Sequence, residues 1–384
     1  IELDYAARCG ISADLSGPVN DRSMFHADNA YFLENVAIVS YRCKTNSQSN
    51  TAFRGFGGPQ GMMGIEYVLD EIARTLQLDP LDVRQANFYG KDGVRDLTQY
   101  GMQVEDNIIP ELVEELVASS EYRARRAAIR EFNQTSPWVK KGIALTPVKF
   151  GISFTATFLN QAGALLHIYT DGTVQLNHGG TEMGQGLFTK VAQVVAEELQ
   201  IPLESIRCTA SSTEKVPNAS ATAASSGSDM NGMAAQAAAQ TLKQRLVEFL
   251  AGHYQVAASD IIFKAGRVQV GDKAAMSFAE LAHLAWFNRV SLSATGFYKT
   301  PKIHYDPQTM SGRPFYYFAY GAAVSEVEVD TLTGEYRVQQ VDILHDVGES
   351  LNPALDIGQI EGGFVQGMGW LTTEELWWDQ DGRL

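Results

Sequence analysis

Apolar residues recur at helical spacing directly after a glycine-rich stretch of the chain. Met62, Ile65, Leu69, Ile72 and Leu76 follow one another at intervals of three or four residues. This spacing puts the apolar side chains on one face, so it predicts an amphipathic helix that packs on a core.

Further helices are predicted along the chain. Asp79 and Pro80 are typical of a helix start, with the aspartate as N-cap and the proline in the first turn. Residues 108–132 and 191–199 also repeat apolar positions with a helical period, and a longer amphipathic helix is predicted over about residues 229–253.

Two stretches instead alternate apolar and polar residues and predict hairpins. Residues 165–170 and 173–177 are joined at Asp171-Gly172, a pair typical of a type I′ turn. A second hairpin is predicted from residues 322–330 and 336–346. Helices together with hairpins indicate an α+β fold, with mixed sheets flanked by helices.

The chain of 384 residues is too long for one ordinary domain, so we predict two. Residues 1–115 are assigned to the first domain, and residues 140–384 to a second domain that is incomplete at its C-terminal end. Residues 116–139, which include NQTSPW, are predicted to be the linker region. The chain starts at Ile1, and we expect both of its ends to be cut points inside a longer polypeptide.

Charge and cysteine content narrow the possible functions. The net charge of −15 disfavours a nucleic-acid partner, because an acidic surface repels phosphate. Cys9, Cys43 and Cys208 form no C-x-x-C pair, which argues against a disulfide framework, a zinc site or an iron–sulfur cluster on this chain. So few cysteines favour a reducing, cytoplasmic compartment. No apolar run reaches the length of a membrane span.

Four polar or glycine-rich segments carry the candidate chemistry, and we predict that they are loops. They are NDRSMFHADN (20–29), AFRGFGGPQG (52–61), GGTEMGQG (179–186) and NPALDIGQIEGGFVQGMGW (352–370). The glycines of the second segment let the backbone pass close to a ligand, although a plain turn with a core Phe56 has the same composition. The third segment precedes a helix whose N–H groups favour anions, but it has neither the Walker A ending nor the G-x-G-x-x-G spacing.

Arg22 and Glu361 are the candidate charged groups of these segments. Arg22 has an ordinary alternative, because most arginines simply lie on the surface. Glu361 stands between the apolar Ile360 and two glycines, which predicts partial burial and suits a general base. The ordinary alternative for Glu361 is a glutamate on the solvated face of a helix start.

Six motifs, in this order, resemble the molybdopterin-binding part of the xanthine dehydrogenase and aldehyde oxidase family. They are FRGFGGPQG (53–61), KFGISFT (149–155), HGGTEMGQGL (178–187), TAASSGSDMNG (222–232), LSATGFY (292–298) and LNPALDIGQIEGGFVQGMGW (351–370). Each motif alone is weak, but the six together are specific and span essentially the whole chain. The resemblance implies two elongated mixed α/β molybdopterin-binding domains.

The resemblance also implies roles for residues at the reaction. Glu361 matches the family's general base, which takes a proton from the hydroxyl group at molybdenum. Phe56 and Phe154 match two phenylalanines that hold a flat heterocycle between them, and Thr155 matches a hydrogen-bonding partner of the substrate. Arg22 matches the arginine that binds the exocyclic oxygen of a purine. Aldehyde oxidases generally lack this arginine, so Arg22 favours the purine branch.

The implied cofactor is molybdenum held by the dithiolene of molybdopterin rather than by protein side chains. Its contacts match Arg54, Met183, Gly184, Gln185, Ala224 and Ser225. Arg54 and Ala224 are expected near the metal without ligating it. Clusters of the 2Fe-2S type and FAD are expected on other chain segments or on a partner subunit, within a larger homo- or hetero-oligomer.

The implied reaction is the oxidative hydroxylation of hypoxanthine and xanthine to urate, with water as the oxygen source. Electrons would pass through iron–sulfur clusters and FAD to NAD. Two alternatives stay open: a hydroxylase of another N-heterocycle or an aldehyde, and a non-catalytic cofactor-binding homologue. A nucleotide-binding α/β domain is disfavoured, because the chain has no phosphate-loop signature. The family also has a substrate-binding glutamate upstream of Arg22 that is not in this chain, so the sequence leaves the exact substrate open.

Overall fold

The computed structural model describes residues 1–384 and confirms the α+β class. The strands are β1 (Glu2–Gly10), β2 (Ala37–Lys44), β3 (Val139–Ile152), β4 (Gln161–Ile168), β5 (Val174–His178), β6 (Ile206–Cys208), β7 (Ile261–Lys264), β8 (Arg267–Val270), β9 (Ala274–Ser277), β10 (Ser293–Lys299), β11 (His304–Asp306), β12 (Ser311–Arg313), β13 (Tyr317–Asp330) and β14 (Tyr336–His345). The helices are α1 (Ser16–Phe25), α2 (Gly58–Leu76), α3 (Pro80–Asn87), α4 (Ile109–Ser119), α5 (Tyr122–Thr135), α6 (Leu187–Leu199), α7 (Gly227–Tyr254), α8 (Phe278–Phe287) and α9 (Pro353–Thr372). None of these helices combines the length and the apolar character that a membrane crossing requires.

Contacts within the chain divide it into two compact units, each assembled from separate segments. Unit 1 holds Ile1–Thr155, His304–Gly348 and Gly363–Leu384, and unit 2 holds Ala156–Ile303 and Glu349–Gly362. The division of the chain into domains at residues 116–139 stays a prediction. That segment is mostly helical, because α4 and α5 occupy it, and Arg125 of α5 binds Glu326 at 2.9 Å and Asp342 at 2.6 Å on the β13–β14 hairpin.

Unit 1 is built on an antiparallel sheet in the order β14-β13-β3, beside a parallel pair formed by β1 and β2. The hairpin predicted from residues 322–330 and 336–346 is therefore confirmed. Leu145 of β3 and Val324 of β13 are buried in one core with Ile65 of α2 and Val113 of α4. The apolar faces of the helices cover the sheet, as the helical spacing predicts.

Unit 2 contains a mixed sheet in the order β10-β4-β5-β6 and a small antiparallel sheet in the order β7-β8-β9. The predicted hairpin of β4 and β5 is confirmed, but the predicted type I′ turn is wrong. Gly172 has a φ of +83°, Asp171 has no positive φ, and the Gly172 N–H donates to the Tyr169 carbonyl at 2.9 Å. The turn is a type I turn followed by a left-handed glycine. The Asp171 carboxylate, which accepts from the Thr173 N–H at 2.9 Å, stabilises it.

Two of the four segments predicted to be loops are largely helical. Arg22 lies in α1, and residues 352–370 fall almost entirely within α9. Glycines weaken a helix by about 1 kcal/mol each, so the glycine-rich segment before Trp370 gave a misleading signal. A correct signal was present at its start: the Asn352 side chain accepts from the Leu355 N–H at 3.2 Å, and Pro353 follows as the first helical residue.

Candidate functional site

The sequence-predicted site residues fall into two sets, one in each unit. Unit 1 contains Arg22, Arg54, Phe56, Phe154 and Thr155, and unit 2 contains Met183, Gly184, Gln185, Ala224, Ser225 and Glu361. The first set is the one assigned mainly to substrate, and the second is assigned to the cofactor and the base.

In unit 1, glycines let the segment that carries Phe56 lie directly against α1 and β3. A Cβ on Gly57 would collide with the Val19 carbonyl of α1, and a Cβ on Gly58 would lie 2.6 Å from the Phe150 ring of β3. Phe56 itself is partly buried and has a φ of +52°, a left-handed conformation that costs a bulky residue about 1–2 kcal/mol. Backbone strain of this kind persists only where the surrounding packing enforces it.

Arg54 lies two residues before Phe56 and is exposed. Its guanidinium lies alongside Gly363 of α9, where a Cβ would be 3.7 Å from Cζ. The neighbouring Phe53 packs against Trp370 with ring centroids 5.2 Å apart, so the second half of α9 supports this segment within unit 1.

Arg22 is held at the end of β3 and is only 3% exposed. Nη1 donates to the Ser153 carbonyl at 2.9 Å, and Nη2 donates to the Gly151 carbonyl. Its guanidinium carbon lies 4.7 Å from the centroid of the Phe150 ring and 5.0 Å from that of Phe315. Burial lowers the pKa of Arg22 to about 10, which leaves the side chain charged at neutral pH.

The bond from Arg22 fixes the segment that leads to Phe154 and Thr155. Ser153 has a φ of +150°, unusual for a residue with a side chain, and its Oγ accepts from the Tyr316 N–H at 3.2 Å. Phe154 and Thr155 follow immediately and are partly buried. The structure therefore brings together Arg22 and the Phe154 segment, which lie far apart in the sequence.

His26 packs beside Arg22 in this cluster, and sequence reasoning missed it. The buried ring lies between α1 and β3, where Nδ1 is 3.0 Å from the Arg22 carbonyl oxygen and Nε2 accepts from the Gly151 N–H at 3.0 Å. This geometry requires a neutral ring with its proton on Nδ1. Burial, together with the charges of Arg22 and Lys149, holds the pKa of His26 well below its usual value. The spacing of four residues from Arg22 was the signal that could have revealed it.

A buried ion pair lies behind these residues in unit 1. Lys149 Nζ is 3.1 Å from Asp28 Oδ2, and the two side chains are 1% and 0% exposed. The Tyr89 hydroxyl donates to the same carboxylate at 2.6 Å, and Lys149 Nζ lies 4.2 Å from the Phe318 ring centroid. Both charged residues belong to sequence segments already singled out, but nothing in the sequence pairs them.

In unit 2, the start of α6 does not offer the open anion site that the glycine-rich sequence predicted. The Glu182 carboxylate accepts from the N–H groups of Gly184 at 2.9 Å, Gly186 at 3.0 Å and Phe188 at 3.0 Å. Glu182 is exposed, and although slight desolvation opposes its charge, these backbone N–H groups lower the pKa of its carboxylate overall. The chain thus fills its own helix N-terminus.

Loop 181–186 is closed around this carboxylate by Gln185. Its side-chain N–H donates to the Thr181 carbonyl at 2.9 Å, and its oxygen accepts from the Met183 N–H at 2.6 Å. Gly184 has a φ of +98°, and no atom lies within 4 Å of where its Cβ would be. The backbone at Gly184 is therefore open to close approach by a ligand.

Loop 222–226 lies beside loop 181–186, because the Thr181 N–H donates to Thr222 Oγ1 at 2.8 Å. Ala224 and Ser225 have φ values of +59° and +57°. Two successive left-handed residues with side chains store strain of about 1–3 kcal/mol each, which is typical of ligand-binding segments. The structure thus joins the two segments that the resemblance assigns to the cofactor.

Helix α9 carries Glu361, and its first turns are fastened to α6. Lys190 of α6 forms an ion pair with Asp356, and the Asn352 side chain donates to Gln193 Oε1 at 3.1 Å. Leu355 occupies the space that a side chain on Gly186 would need. The start of α9 is therefore held next to loop 181–186 within unit 2.

Glu361 itself is exposed, so the predicted partial burial is wrong for this chain. Ile357 and Val365 are also exposed and lie four residues to either side, which places all three on one stripe of the helix. Ile360, the apolar neighbour that suggested burial, is partly buried, so its side chain and that of Glu361 lie on different faces of α9.

Comparison with known proteins gives three kinds of similarity. Two family profiles, both described as a molybdopterin cofactor-binding domain, match residues 1–88 and 115–384. The xanthine dehydrogenase/oxidase of Mus musculus is 47% identical and that of Gallus gallus 48% identical, each over 100% of this chain. A solved quinoline 2-oxidoreductase from Pseudomonas putida 86 has a TM-score of 0.82 at 22% identity, covering 99% of this chain and 49% of that one, which shows a shared fold. The chain spans 27% of the length of the two curated relatives.

Proposed function

Because the chain belongs to the family of molybdopterin cofactor-binding domains, we propose that it forms the cofactor- and substrate-binding part of a molybdenum hydroxylase that converts hypoxanthine and xanthine to urate. The observation that carries this proposal is the bond from Arg22 to the Ser153 carbonyl, which joins the two segments that would bind a purine. The similarity of this chain, over its whole length, to part of xanthine dehydrogenase/oxidase proteins supports the purine substrate. Since those relatives are far longer, we assign the iron–sulfur clusters and FAD that would pass electrons to NAD to other segments or a partner subunit.

The residues of unit 2 fit a cofactor that is gripped largely by backbone. Gly184 is open, and the strained Ala224 and Ser225 lie in the adjoining loop. Met183 and Gln185 are the other cofactor-binding residues of unit 2, and the Gln185 amide stabilises loop 181–186 through two hydrogen bonds within the loop. When bound, the cofactor would supply a metal centre that activates water and accepts two electrons.

Glu361 would act as the general base of this reaction. Its carboxylate is on α9, whose first turns are fastened to the helix that follows loop 181–186. A carboxylate oxygen on an exposed helix face can accept a proton from a bound water. Its task is to take the proton of the attacking water, which raises the nucleophilicity of the oxygen.

Unit 1 would bind the purine through rings and one charge. Phe56 and Phe154 would contact its faces, and Thr155 would donate or accept one hydrogen bond. Arg22 would bind the exocyclic oxygen through its guanidinium Nε, which is buried and has no hydrogen-bond partner in the protein. The bonds from Nη1 and Nη2 to the Ser153 and Gly151 carbonyls would then stay in place.

Replacing Arg22 by leucine tests the purine assignment. A hydrogen bond to a charged group contributes about 1.5–3 kcal/mol, so Arg22→Leu should lower kcat/KM for xanthine by about 10- to 100-fold. An aldehyde substrate without that oxygen should lose much less. Steady-state kinetics of the complete enzyme on both substrates gives the comparison.

The control is Arg84→Leu, which removes another buried arginine that pairs with Glu66 and Asp70. It should affect both substrates alike, through stability alone. An equal loss on xanthine and aldehyde in Arg22→Leu would show that Arg22 only holds α1 to β3.

A further inference from the structure

Helix α6 begins with an internal carboxylate where a ligand anion would otherwise bind. N–H groups at a helix N-terminus lack partners within the helix and attract negative charge. Here Glu182, five residues before Leu187, the first residue of α6, accepts from the Gly184, Gly186 and Phe188 N–H groups. The carboxylate therefore stands where a phosphate would stand in an empty helix start.

We propose that Glu182 is a positioning residue that presets the backbone of Met183, Gly184 and Gln185 for the cofactor and keeps free phosphate out of the α6 N-terminus. This inference rests on the proposed function, because the cofactor loops come from it. The carboxylate is the centre around which loop 181–186 folds, since two N–H groups of the loop and one from the first turn of α6 donate to this one side chain. Without it, those groups would have no acceptor in the protein.

The charge of Glu182 matters as well as its shape. A carboxylate has only acceptors, whereas an amide of the same size has one oxygen and an NH₂ group that would face other N–H groups. Hydrogen bonds to an ionised acceptor are about twice as strong as neutral ones. Glutamine should therefore hold the loop less well, although it fills the same space.

The remaining loop contacts cannot replace this carboxylate. Gln185 accepts from the Met183 N–H and donates to the Thr181 carbonyl, and Thr222 accepts from the Thr181 N–H. Neither side chain bonds to the N–H groups that Glu182 binds. Leu355 packs against Gly186 but is apolar. Removal of the Glu182 side chain would leave three N–H groups that point to the same space, and such an arrangement binds small anions.

The test uses Glu182→Ala and Glu182→Gln in the complete enzyme, with hydrogen exchange and pterin content as readouts. In Glu182→Ala we expect the amides of Gly184, Gly186 and Phe188 to exchange roughly 10- to 100-fold faster, the factor for a lost charge-assisted hydrogen bond. Pterin content should fall with them. Added formate should restore both in Glu182→Ala, because it can occupy the vacated space, and should restore neither in Glu182→Gln, where the amide blocks it.

The matched control is Glu280→Ala in the same unit. Glu280 is also a carboxylate at a helix start, where it accepts from the Ser277 N–H at 2.7 Å. Its removal should loosen the start of α8 and leave the pterin content unchanged. Unaltered exchange and pterin content in Glu182→Ala, or a loss that formate does not reverse, would overturn the proposal. Amide hydrogen exchange does not depend on turnover, so failure of this proposal and failure of the hydroxylase assignment can be told apart. If the hydroxylase assignment is wrong, the protein without any substitution will contain no pterin.

Discussion

Replacing Glu361 by glutamine should lower the turnover of xanthine by about 10²- to 10⁴-fold, the usual range for a lost general base. The amide has the size of the carboxylate but cannot accept the proton of the attacking water. Because Glu361 is exposed on α9, the substitution removes no buried contact, and the pterin content should stay near that of the unaltered protein. Stopped-flow reduction by xanthine, together with pterin analysis, measures both quantities.

The control for this variant is Glu349→Gln, which neutralises another exposed carboxylate of unit 2. It should keep full turnover, since the change in net charge is the same. Turnover retained in Glu361→Gln would remove Glu361 from the base role, and turnover lost together with pterin would assign it to cofactor retention instead.

Replacing Lys149 by methionine should lower the free energy of unfolding by about 3–5 kcal/mol, the usual effect of breaking one side of a buried ion pair. Asp28 would be left fully buried with its charge uncompensated. Domains have a total stability of about 5–15 kcal/mol, so a large shift in the midpoint of urea unfolding is expected. Adding Asp28→Asn to the methionine variant should recover part of the loss, because it removes the unpaired charge.

Lys141→Met gives the comparison on the same strand. Lys141 lies 3.8 Å from Glu328, with both side chains partly exposed, and such pairs contribute at most about 1 kcal/mol. Equal unfolding midpoints for the Lys141 and Lys149 variants would contradict the account of the buried pair.

Local patterns predicted the elements that depend on local chemistry. The helix after the FRGFGG segment, the Asp79 cap of α3 and both predicted hairpins are confirmed, because periodicity and turn residues act within a few positions. Residues 352–370 were misjudged because tertiary contacts, such as that of Lys190 with Asp356, hold a glycine-rich helix that propensity alone disfavours.

The sequence predicted the site residues that belong to recognisable motifs. It did not predict contacts between residues that are distant in the sequence. Arg22 and the Phe154 segment were found as motifs, and the structure adds the hydrogen bond between them. His26 and the pair of Lys149 with Asp28 were missed, since each depends on α1 and β3 coming together. Glu182 lay inside a motif, but its glycines suggested an empty anion site rather than one filled by the chain itself.

The most direct test of the central claim is metal and pterin analysis of the complete protein, with every co-purifying polypeptide, in parallel with xanthine-dependent dye reduction and detection of urate. We expect about one molybdenum per protomer, since each protomer has one cofactor site, together with urate formation. Protein that holds molybdenum but forms no urate would contradict the purine assignment, and complete protein without molybdenum would contradict the hydroxylase itself.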